Sequence, residues 1–485
     1  MAGPYPVRVI VRTPGVIPGL AQISVRITGG STPTLITVRP LHWEAGLEGA
    51  PPPDTARAVS GETGLYSAEL WLMTTGSYSI HVSVAGDAGE GTVFVPLNAV
   101  AETRREMGRA LAVGLIGAVL FLFVGAMTVF GAAVRESVLA PGEEPDRKQR
   151  MRATVATGLS GVGLAVILWG GWTWWASVDT SYRAGLYQPL ETTSALETSE
   201  AGPVLTLRID DPTWMGREWT PLMPDHGKLM HMFLVGDEPL GAFAHIHPES
   251  ADSTSFAVPF PPLPPGTYRI YADIVHESGF SQTLVDRVEV TAAVTAAATA
   301  AATAPVSTTV GAEVETESLE APGRDPDDSW AVLPPWGQAS GERFALPSGR
   351  TLVWESGREP LLDAEITLAF RVAEPDGTPS VLEPYMGMLS HAAVTRDDGS
   401  VFIHMHPAGS ISLAAQERFR RAEGGAGSNA GSNTPAGGMP AISDATDVVS
   451  FPFVFPTTGA YRIFVQVKID GAVETAVFDV EVPEG

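Results

Sequence analysis

Two apolar runs constrain this chain more than any other feature, because each is long enough to cross a lipid bilayer as a helix. Residues 110–134 and 153–178 contain no charged side chain. As helices they would be about 35 to 40 Å long, whereas the hydrocarbon core of a bilayer is about 30 Å thick. We therefore predict a membrane protein whose transmembrane hairpin, at residues 101–185, lies between two soluble regions.

The loop between the two runs predicts how the hairpin is oriented. Residues 135–152 carry five basic side chains, and the positive-inside rule places such a loop in the cytoplasm. Both soluble regions would then lie on the periplasmic side of a bacterial inner membrane. Arg104, Arg105 and Arg109 precede the first run and reduce this bias, so the alternative with both regions in the cytoplasm stays open.

The soluble regions have the alternating apolar pattern of β-strands, interrupted by glycine and proline. A closing strand that begins Gly-x-Tyr occurs three times, at Tyr78, Tyr268 and Tyr461. It resembles the tyrosine corner of immunoglobulin-like sandwiches, in which the tyrosine hydroxyl bonds back to the backbone. The predicted fold class is mainly β, with three immunoglobulin-like β-sandwich domains plus the two-helix transmembrane hairpin. The domains span residues 1–100, 186–293 and 344–485, and the helices about 110–134 and 153–178.

Two segments have compositions that do not favour a packed core. Residues 294–343 begin as Ala/Thr/Val repeats and become acidic, which predicts a flexible tether. An insertion in the third domain, at about 422–447, is rich in small and polar residues and is predicted to be disordered. The acid pair Asp327-Asp328 lies in the tether, and we interpret its carboxylates as solvated.

Composition excludes several classes of function. The net charge of −25 argues against nucleic acid as a partner. The absence of cysteine removes disulfides, thiol nucleophiles and the thiolate ligand of a blue-copper centre. The sequence has no nucleophile elbow, phosphate loop, zinc-protease helix or dinucleotide fingerprint, so no enzymatic activity is predicted.

Seven of the ten histidines lie in two stretches that repeat one another. The stretches cover residues 222–248 and 382–407, with Leu, Pro, Gly, Leu and His in register and a His-x-His-Pro ending. Internal repetition of this kind indicates where chemistry should be sought. The candidate metal ligands are His226, His231, His245 and His247 in the first stretch, and Met386, His391, His404 and His406 in the second.

Hairpin geometry predicts that three imidazoles meet in the third domain. Asp398-Gly399 is a strong signal for a two-residue loop, and a loop there places His391 opposite His406. His404 and His406 alternate along the strand, so their side chains share a face, about 7 Å apart. One metal ion could bridge the three rings.

The second domain repeats this geometry if its loop is centred on Pro239, because His231 and His247 are then symmetric about the turn. Five residues before the first histidine of each trio, His226 or Met386 precedes a glycine and could supply a fourth ligand. The sequence thus predicts one metal site in each of the two domains.

The ligand types favour copper, with zinc as the second choice. Imidazole suits copper, zinc and nickel, whereas the thioether of methionine favours copper(I). Met230, Met232 and Met405 alternate out of phase with their neighbouring histidines, which predicts that they point into the core. An alternative stays open, in which the histidines are sheet residues satisfied by hydrogen bonds.

The three Gly-x-Tyr strands and the His/Met clusters resemble the small extracytoplasmic immunoglobulin-like domains of the YtkA, FixH and CopC kind, found in bacterial membrane and copper-handling proteins. The resemblance implies a membrane-anchored protein that binds or delivers copper, with a metal ion and the lipid bilayer as partners. The alternative function is a non-enzymatic accessory subunit of a larger respiratory or photosynthetic membrane complex, whose β domains would be docking surfaces for protein partners.

Overall fold

The computed structural model describes the chain except residues 138, 141, 200, 216–221, 251, 304–324, 425–446 and 484–485. The chain forms two compact units. Residues 14–19 and 100–188 make up the first, which contains the helical hairpin. Residues 1–13, 20–99 and 189–485 make up the second, which contains the β domains.

The helical unit is a hairpin of α1 (Arg109–Glu136) and α2 (Arg147–Ala184). Both helices are long and apolar enough to cross a membrane, with mean hydropathies of 2.5 and 1.6. Almost none of their apolar surface is buried inside the protein, as expected where lipid is the solvent. The predicted hairpin is confirmed, and both helices extend a few residues beyond the uncharged runs.

Local sequence explains where α2 begins and how the two helices pack. The side chain of Asp146 accepts a hydrogen bond from the Gln149 amide at 2.6 Å, and the Gln149 side chain accepts one from the Asp146 amide at 2.7 Å, which is a capping box. A Cβ atom at Gly131 would lie 2.2 Å from the Thr157 hydroxyl of the other helix. Glycine at this position therefore permits the close approach of α1 and α2.

The first β domain is a sandwich of two four-stranded antiparallel sheets. Its strands are β1 (Val7–Arg12), β2 (Gly19–Ile27), β3 (Pro33–His42), β4 (Asp54–Thr55), β5 (Arg57–Ala58), β6 (Leu65–Leu72), β7 (Gly76–Gly86) and β8 (Gly89–Ala99). One sheet has the order β1-β2-β6-β5, and the other has the order β4-β3-β7-β8.

The second β domain packs a three-stranded sheet, β13-β10-β9, and a five-stranded sheet, β15-β14-β11-β12-β16, around a shared apolar core. Its elements are β9 (Thr192–Ser199), β10 (Gly202–Ile209), α3 (Pro212–Met215), β11 (His231–Gly236), β12 (Ala242–Ile246), β13 (Ser255–Pro259), β14 (Gly266–Val275), β15 (Ser281–Val290), α4 (Ala292–Thr303) and β16 (Ser329–Val332).

The third β domain again pairs two antiparallel sheets, with the orders β17-β18-β19-β22 and β21-β20-β23-β24. The predicted fold class, three β-sandwiches plus a helical hairpin, is thereby confirmed. The elements of the third domain are β17 (Arg343–Ala345), β18 (Thr351–Ser356), β19 (Ile366–Ala373), β20 (Ser390–Arg396), β21 (Phe402–Met405), α5 (Leu413–Gly424), β22 (Val448–Phe453), β23 (Gly459–Ile469) and β24 (Ala472–Val482).

The tyrosine of each Gly-x-Tyr strand has the structural role that the sequence predicts. The hydroxyl of Tyr268 donates to the Pro264 carbonyl at 2.8 Å, and that of Tyr461 donates to the Thr457 carbonyl at 2.9 Å. In the first domain the Tyr78 hydroxyl lies 2.8 Å from the Thr74 hydroxyl. Each tyrosine thus ties the start of its strand to a residue four positions upstream.

The prediction of a flexible tether at 294–343 is wrong for those of its residues that the structure describes. α4 buries Ala298 in the core of the second domain, and β16 adds to that domain's sheet by pairing with β12. A partner strand satisfies the backbone of β16, which composition could not reveal. Residues 304–324 and most of the insertion predicted at 422–447 lie outside the described residues; α5 ends at Gly424.

Strand β11 is buried along its whole length because it is covered on both faces. Met232 and Leu234 point into the core of the second domain, whereas Phe233 and Val235 join a second apolar cluster with residues of the third domain. The five-stranded sheet of the second domain therefore packs face to face against the β21-β20-β23-β24 sheet of the third. This packing was not predicted from the sequence, which indicated only a flexible tether between the two domains.

The interface between these two domains makes each of its main contacts twice, once from each copy of the repeat. Phe243 stacks on Phe464 with ring centroids 4.2 Å apart, and the equivalent Phe402 stacks on Tyr271 at 4.1 Å. Arg462 donates to the Leu240 carbonyl at 2.7 Å in the second domain. The two copies thus pair as the subunits of an isologous dimer do.

The equivalent of Arg462 in the second domain is Arg269, which donates to the Asp397 carbonyl at 2.9 Å. The duplication therefore extends to the polar contacts of the interface as well as to its aromatic stacks.

Candidate metal centre

The strand registers that carry the histidines are those predicted from hairpin geometry. In the third domain Ala392 pairs with Met405 and Ala393 with His404, which continues to His391 opposite His406. In the second domain Met232 pairs with Ile246, which continues to His231 opposite His247. Both registers are confirmed, and in each domain the histidines lie on the face of the sheet that turns away from the domain's own core.

The structure merges the two predicted sites into one cluster, because the two histidine-bearing faces pack against each other. His245 of the second domain lies 5.6 Å from His404 and 6.0 Å from His391 of the third, measured between ring centroids. His231 lies 5.4 Å from His404. In the second domain His231, His245 and His247 come together as predicted, whereas in the third His391 and His406 are grouped with His226 instead of His404. The seven-histidine cluster comprises His226, His231, His245, His247, His391, His404 and His406.

The cluster is shielded from solvent. The side chains of His226 and His404 are 6% and 8% exposed, and the other five residues are at most 4% exposed. The sandwich cores lie behind the histidines, and the aromatic stacks of the interface lie beside them. A buried group of this kind must find hydrogen-bond partners or a ligand.

His226 reaches the cluster from a tight turn and joins the opposite domain's histidines. His226 and Gly227 have φ of 53° and 82°, and Asp225 and Lys228 on either side exchange both backbone hydrogen bonds, as in a type I′ turn. The ring of His226 lies 5.0 Å from that of His406 and 5.5 Å from that of His391.

The ring centroids of His226 and His231, which belong to the same domain, are 6.0 Å apart. The prediction that His226 completes the trio of its own domain is therefore wrong, because the turn projects it across the interface.

Met386 occupies the equivalent turn in the third domain, with φ of 48° followed by Gly387 at 80°. The backbone of Met386 forms a hydrogen bond with His226. Its predicted role as a thioether ligand stays a prediction. Met232 and Met405 lie fully buried in the cores of their own domains, as predicted.

Most of the imidazole rings contact an oxygen acceptor through one nitrogen, and their other nitrogen faces the cluster. His247 Nδ1 lies 3.0 Å from Asp328 Oδ1, and His404 Nδ1 lies 3.3 Å from Asp273 Oδ2. His406 Nδ1 lies 3.2 Å from the Ile411 carbonyl. An oxygen acceptor at Nδ1 fixes the proton there and leaves the Nε2 lone pair free, the arrangement found behind metal-ligating histidines.

His245 is held in the same way from the other domain. Its Nδ1 lies 2.9 Å from Gln466 Oε1 and 3.2 Å from the Tyr385 hydroxyl. The Gln466 amide nitrogen donates to Ser329 Oγ at 2.6 Å, which orients the amide oxygen toward the ring. Gln466 and Asp273 occupy the same position in the two copies, so each copy supports one histidine of the other.

Two nitrogens face each other without a proton between them. His231 Nε2 lies 3.0 Å from the Asp225 carbonyl and must carry its proton there. His231 Nδ1 and His245 Nε2 are then both lone-pair nitrogens, and they are 3.1 Å apart. Two such atoms repel unless a cation lies between them.

Six nitrogens of the cluster are buried without a hydrogen-bond partner among the described residues. Three groups of side chains offer ligand atoms within 4.8 Å of one another: His226 with His391 and His406, His231 with His245 and His247, and His247 with Asp325 and Asp328. The arrangement could hold a metal ion. The six nitrogens are His226 Nε2, His247 Nε2, His391 Nδ1, His391 Nε2, His404 Nε2 and His406 Nε2.

The electrostatics of the cluster disfavour the charged form of most of its imidazoles. Burial lowers the pKa of His406 to about 4, and it lowers the pKa of His231, His245, His391 and His404 well below the usual value near 6.5. Repulsion between neighbouring rings adds to the effect. At neutral pH the lone pairs are therefore available to a metal.

Sequence reasoning missed the carboxylates that support the cluster. The side chain of Asp328 is 2% exposed and accepts hydrogen bonds from both the amide and Nδ1 of His247, so its interpretation as a solvated tether residue is wrong. Asp273 is partly enclosed by the interface, and burial raises its pKa to about 7. Alignment of the Gly-x-Tyr strands, in which Asp273 and Gln466 both follow the tyrosine by five residues, was the available signal.

Residues 189–297 and 348–484 match the family model described as "Domain of unknown function (DUF8832)", and because these segments make up just over half of the chain, the chain belongs to that family. The match covers most of the second and third sandwiches, including all eight predicted ligands. No curated protein matches the chain.

Several solved structures resemble the chain weakly. The FN1–FN3 domains of chicken CNTN1 share 7% identity, with 98% of this chain and 97% of that one covered and a TM-score of 0.13. The D1–D4 ectodomain fragment of ICAM-5 shares 8%, with 99% and 76% covered and a TM-score of 0.15. A Corynebacterium diphtheriae protein described as membrane anchored shares 9%, with 99% and 90% covered and a TM-score of 0.13. Scores of this size carry no argument about function.

Proposed function

We propose that this chain is a membrane-anchored, extracytoplasmic metal-binding protein that holds copper in the seven-histidine cluster and stores or passes on the ion. The helical hairpin would be the anchor in a bacterial inner membrane. The immunoglobulin-like likeness to YtkA, FixH and CopC domains fits the proposal, as does the basic loop between the two helices.

The observation that carries the proposal is the set of six buried imidazole nitrogens without partners. A buried polar atom left unpaired costs about 1 to 3 kcal/mol, so six of them in one cluster would severely destabilise an interface that had no ligand. Apolar side chains of similar size would pack there at no such cost. Coordination of a metal removes the penalty for each nitrogen that becomes a ligand.

Copper is supported by the donor set and by the surrounding charge. All seven side chains of the cluster are imidazoles, and for nitrogen donors copper(II) binds more tightly than the other divalent first-row metals. The imidazoles contribute no negative charge, but carboxylates stand directly behind them at Asp273 and Asp328. Zinc, which also accepts imidazole nitrogen in tetrahedral sites, is the second choice.

The burial of the cluster favours a binding role without catalysis. His245 and His391 are fully buried, and the two sandwiches enclose them, which suits an ion better than an organic substrate. Asp325 and Asp327 lie at the edge, with side chains 19% and 21% exposed. Asp325 is paired there with Lys228 and lies 4.0 Å from His247 Nδ1.

The test is the metal content of the full chain, purified from membranes in detergent without chelator. We expect copper to co-purify, and we expect the double variant His404→Ala plus His406→Ala to lose at least half of it. The matched control is His42→Ala, which removes a histidine of the first domain outside the cluster. Near-zero metal in wild type and variant alike, together with co-purification of a large assembly, would support the accessory-subunit alternative instead.

A further inference from the structure

We infer that the cluster is a two-ion centre, with one ion held inside the second domain and the other held across the domain interface. The inner position uses His231, His245 and His247. The interface position uses His226 of the second domain with His391 and His406 of the third. This inference rests on the proposed function, because it requires that the histidines bind metal.

The inner position has the geometry of a metal site that is already formed. The facing lone-pair nitrogens of His231 and His245 are 3.1 Å apart. An ion at a usual metal–nitrogen distance of about 2.0 to 2.1 Å from both nitrogens would have a nitrogen–metal–nitrogen angle of about 100°, close to the tetrahedral value. His247 Nε2 is free to supply the third ligand, because Asp328 holds Nδ1 on the opposite side of the ring.

The interface position is formed by nitrogens that lack other partners in the described part of the chain. His226 Nε2, His406 Nε2 and both nitrogens of His391 are buried and unpaired. The ring centroids of these three residues are 5.0 to 5.5 Å apart. Neither domain alone contains this site, because the turn of the second domain supplies His226 and the sheet of the third supplies the other two rings.

One ion cannot satisfy both groups, since they share no residue. An ion in the inner position would leave four nitrogens of the interface group buried and unpaired, and an ion in the interface position would leave the lone pairs of His231 and His245 in contact. His404 lies between the groups, with its ring 5.4 Å from His231 and 4.4 Å from His406. It can complete the coordination of either ion.

Carboxylates surround the cluster and favour the binding of cations there. Asp328 and Asp273 contact His247 and His404, and an Asp225 carboxylate oxygen lies 3.8 Å from His226 Nε2. These carboxylates offset part of the charge of the bound ions.

Two measurements on the detergent-purified full chain test the inference. The chain is stripped with chelator, titrated with copper(II) and dialysed, and bound copper per chain is determined by elemental analysis. We expect two ions in the wild type and in the His42→Ala control. We expect one ion in His247→Ala and one in His226→Ala.

Electron paramagnetic resonance of the copper(II)-loaded wild type gives a readout that needs no variant. Two copper(II) ions in adjacent trios should give a dipolar-broadened spectrum, whereas each single-site variant should give the sharp spectrum of an isolated ion. A single ion per wild-type chain would overturn the two-ion inference and leave the proposed function standing. Two uncoupled ions that survive both substitutions would also overturn it. No bound ion in the wild type would refute the proposed function itself.

Discussion

The second and third domains share one scaffold but surround their histidines differently. At the tight turn before the first histidine the second domain has Asp225-His226, and the third has Tyr385-Met386. At the strand position that reaches across the interface the second domain has Asp273, and the third has Gln466. Duplication thus produced a symmetric interface, and a few substitutions made the site within it asymmetric.

The difference shows which parts of the interface are structural and which belong to the site. Aromatic stacks and arginine contacts occur in both copies with nearly equal distances. Asp273 and Gln466, which contact histidines of the opposite copy, differ between the copies. The symmetric contacts hold the two sandwiches together. The asymmetric contacts give the two groups of histidines different surroundings.

The largest expected effect comes from the arginine pair. Arg462 is fully buried and hydrogen bonds to both oxygens of Asp479, at 2.6 and 2.8 Å. Arg462→Met should lower the free energy of unfolding by about 3 to 5 kcal/mol, because the Asp479 charge is left buried and unpaired. Urea unfolding of the full chain, followed by tryptophan fluorescence, measures this loss.

The control for that prediction is Arg269→Met, the same change in the other copy. The partner of Arg269, Asp237, is 25% exposed and has a second cation, Arg287, at 3.7 Å. The loss there should be about 1 to 2 kcal/mol. Equal losses from the two substitutions would contradict the difference in burial between the two copies.

Metal binding should stabilise the two histidine-bearing domains but not the first domain. Free metal at 100 times its dissociation constant should stabilise the paired domains by about 2.7 kcal/mol. Amide hydrogen exchange of β11, β12, β20 and β21 should slow by up to about 100-fold, while β7 and β8 of the first domain should be unaffected. Uniform protection of all three domains would show that the metal acts elsewhere.

A smaller effect distinguishes the two acids behind the cluster. Asp328→Asn should weaken metal binding by about 10- to 100-fold, because loss of such a supporting carboxylate disorients and weakens the ligand. Asp273→Gln should cost less than about 10-fold, since the amide of Gln466 already performs the equivalent task for His245. Competition titrations against a copper chelator measure both. A larger loss of affinity from Asp273→Gln than from Asp328→Asn would contradict the expectation that Asp328 is the more important support.

The smallest effect concerns the tyrosine corners. Tyr268→Phe and Tyr461→Phe should each lower the free energy of unfolding by about 0.5 to 1.5 kcal/mol through loss of one hydrogen bond. Metal content should be unchanged, because neither hydroxyl contacts the cluster. Loss of metal in either variant would show that these strands position the site more directly than the structure indicates.

Much of the architecture could be predicted because its causes are local. The uncharged runs predict two helices long enough to cross a membrane, and Gly-x-Tyr identifies the corner strand of each sandwich. The registers around Asp398-Gly399 and Pro239 follow from loop symmetry. The strand position of the predicted tether residues 329–332 could not be predicted, because β16 depends on the free edge of β12, which is remote in sequence.

The sequence by itself determined the hairpin, the three sandwiches, the strand registers and seven of the residues that meet in the cluster. Alternation along a strand decides which side chains share a face, and that information is local. The tertiary structure alone decided that the two histidine faces cover each other, that His226 serves the opposite domain, and that Asp328 and Asp273 support the rings. Those outcomes depend on the packing of surfaces distant in sequence, for which neither periodicity nor spacing carries a signal.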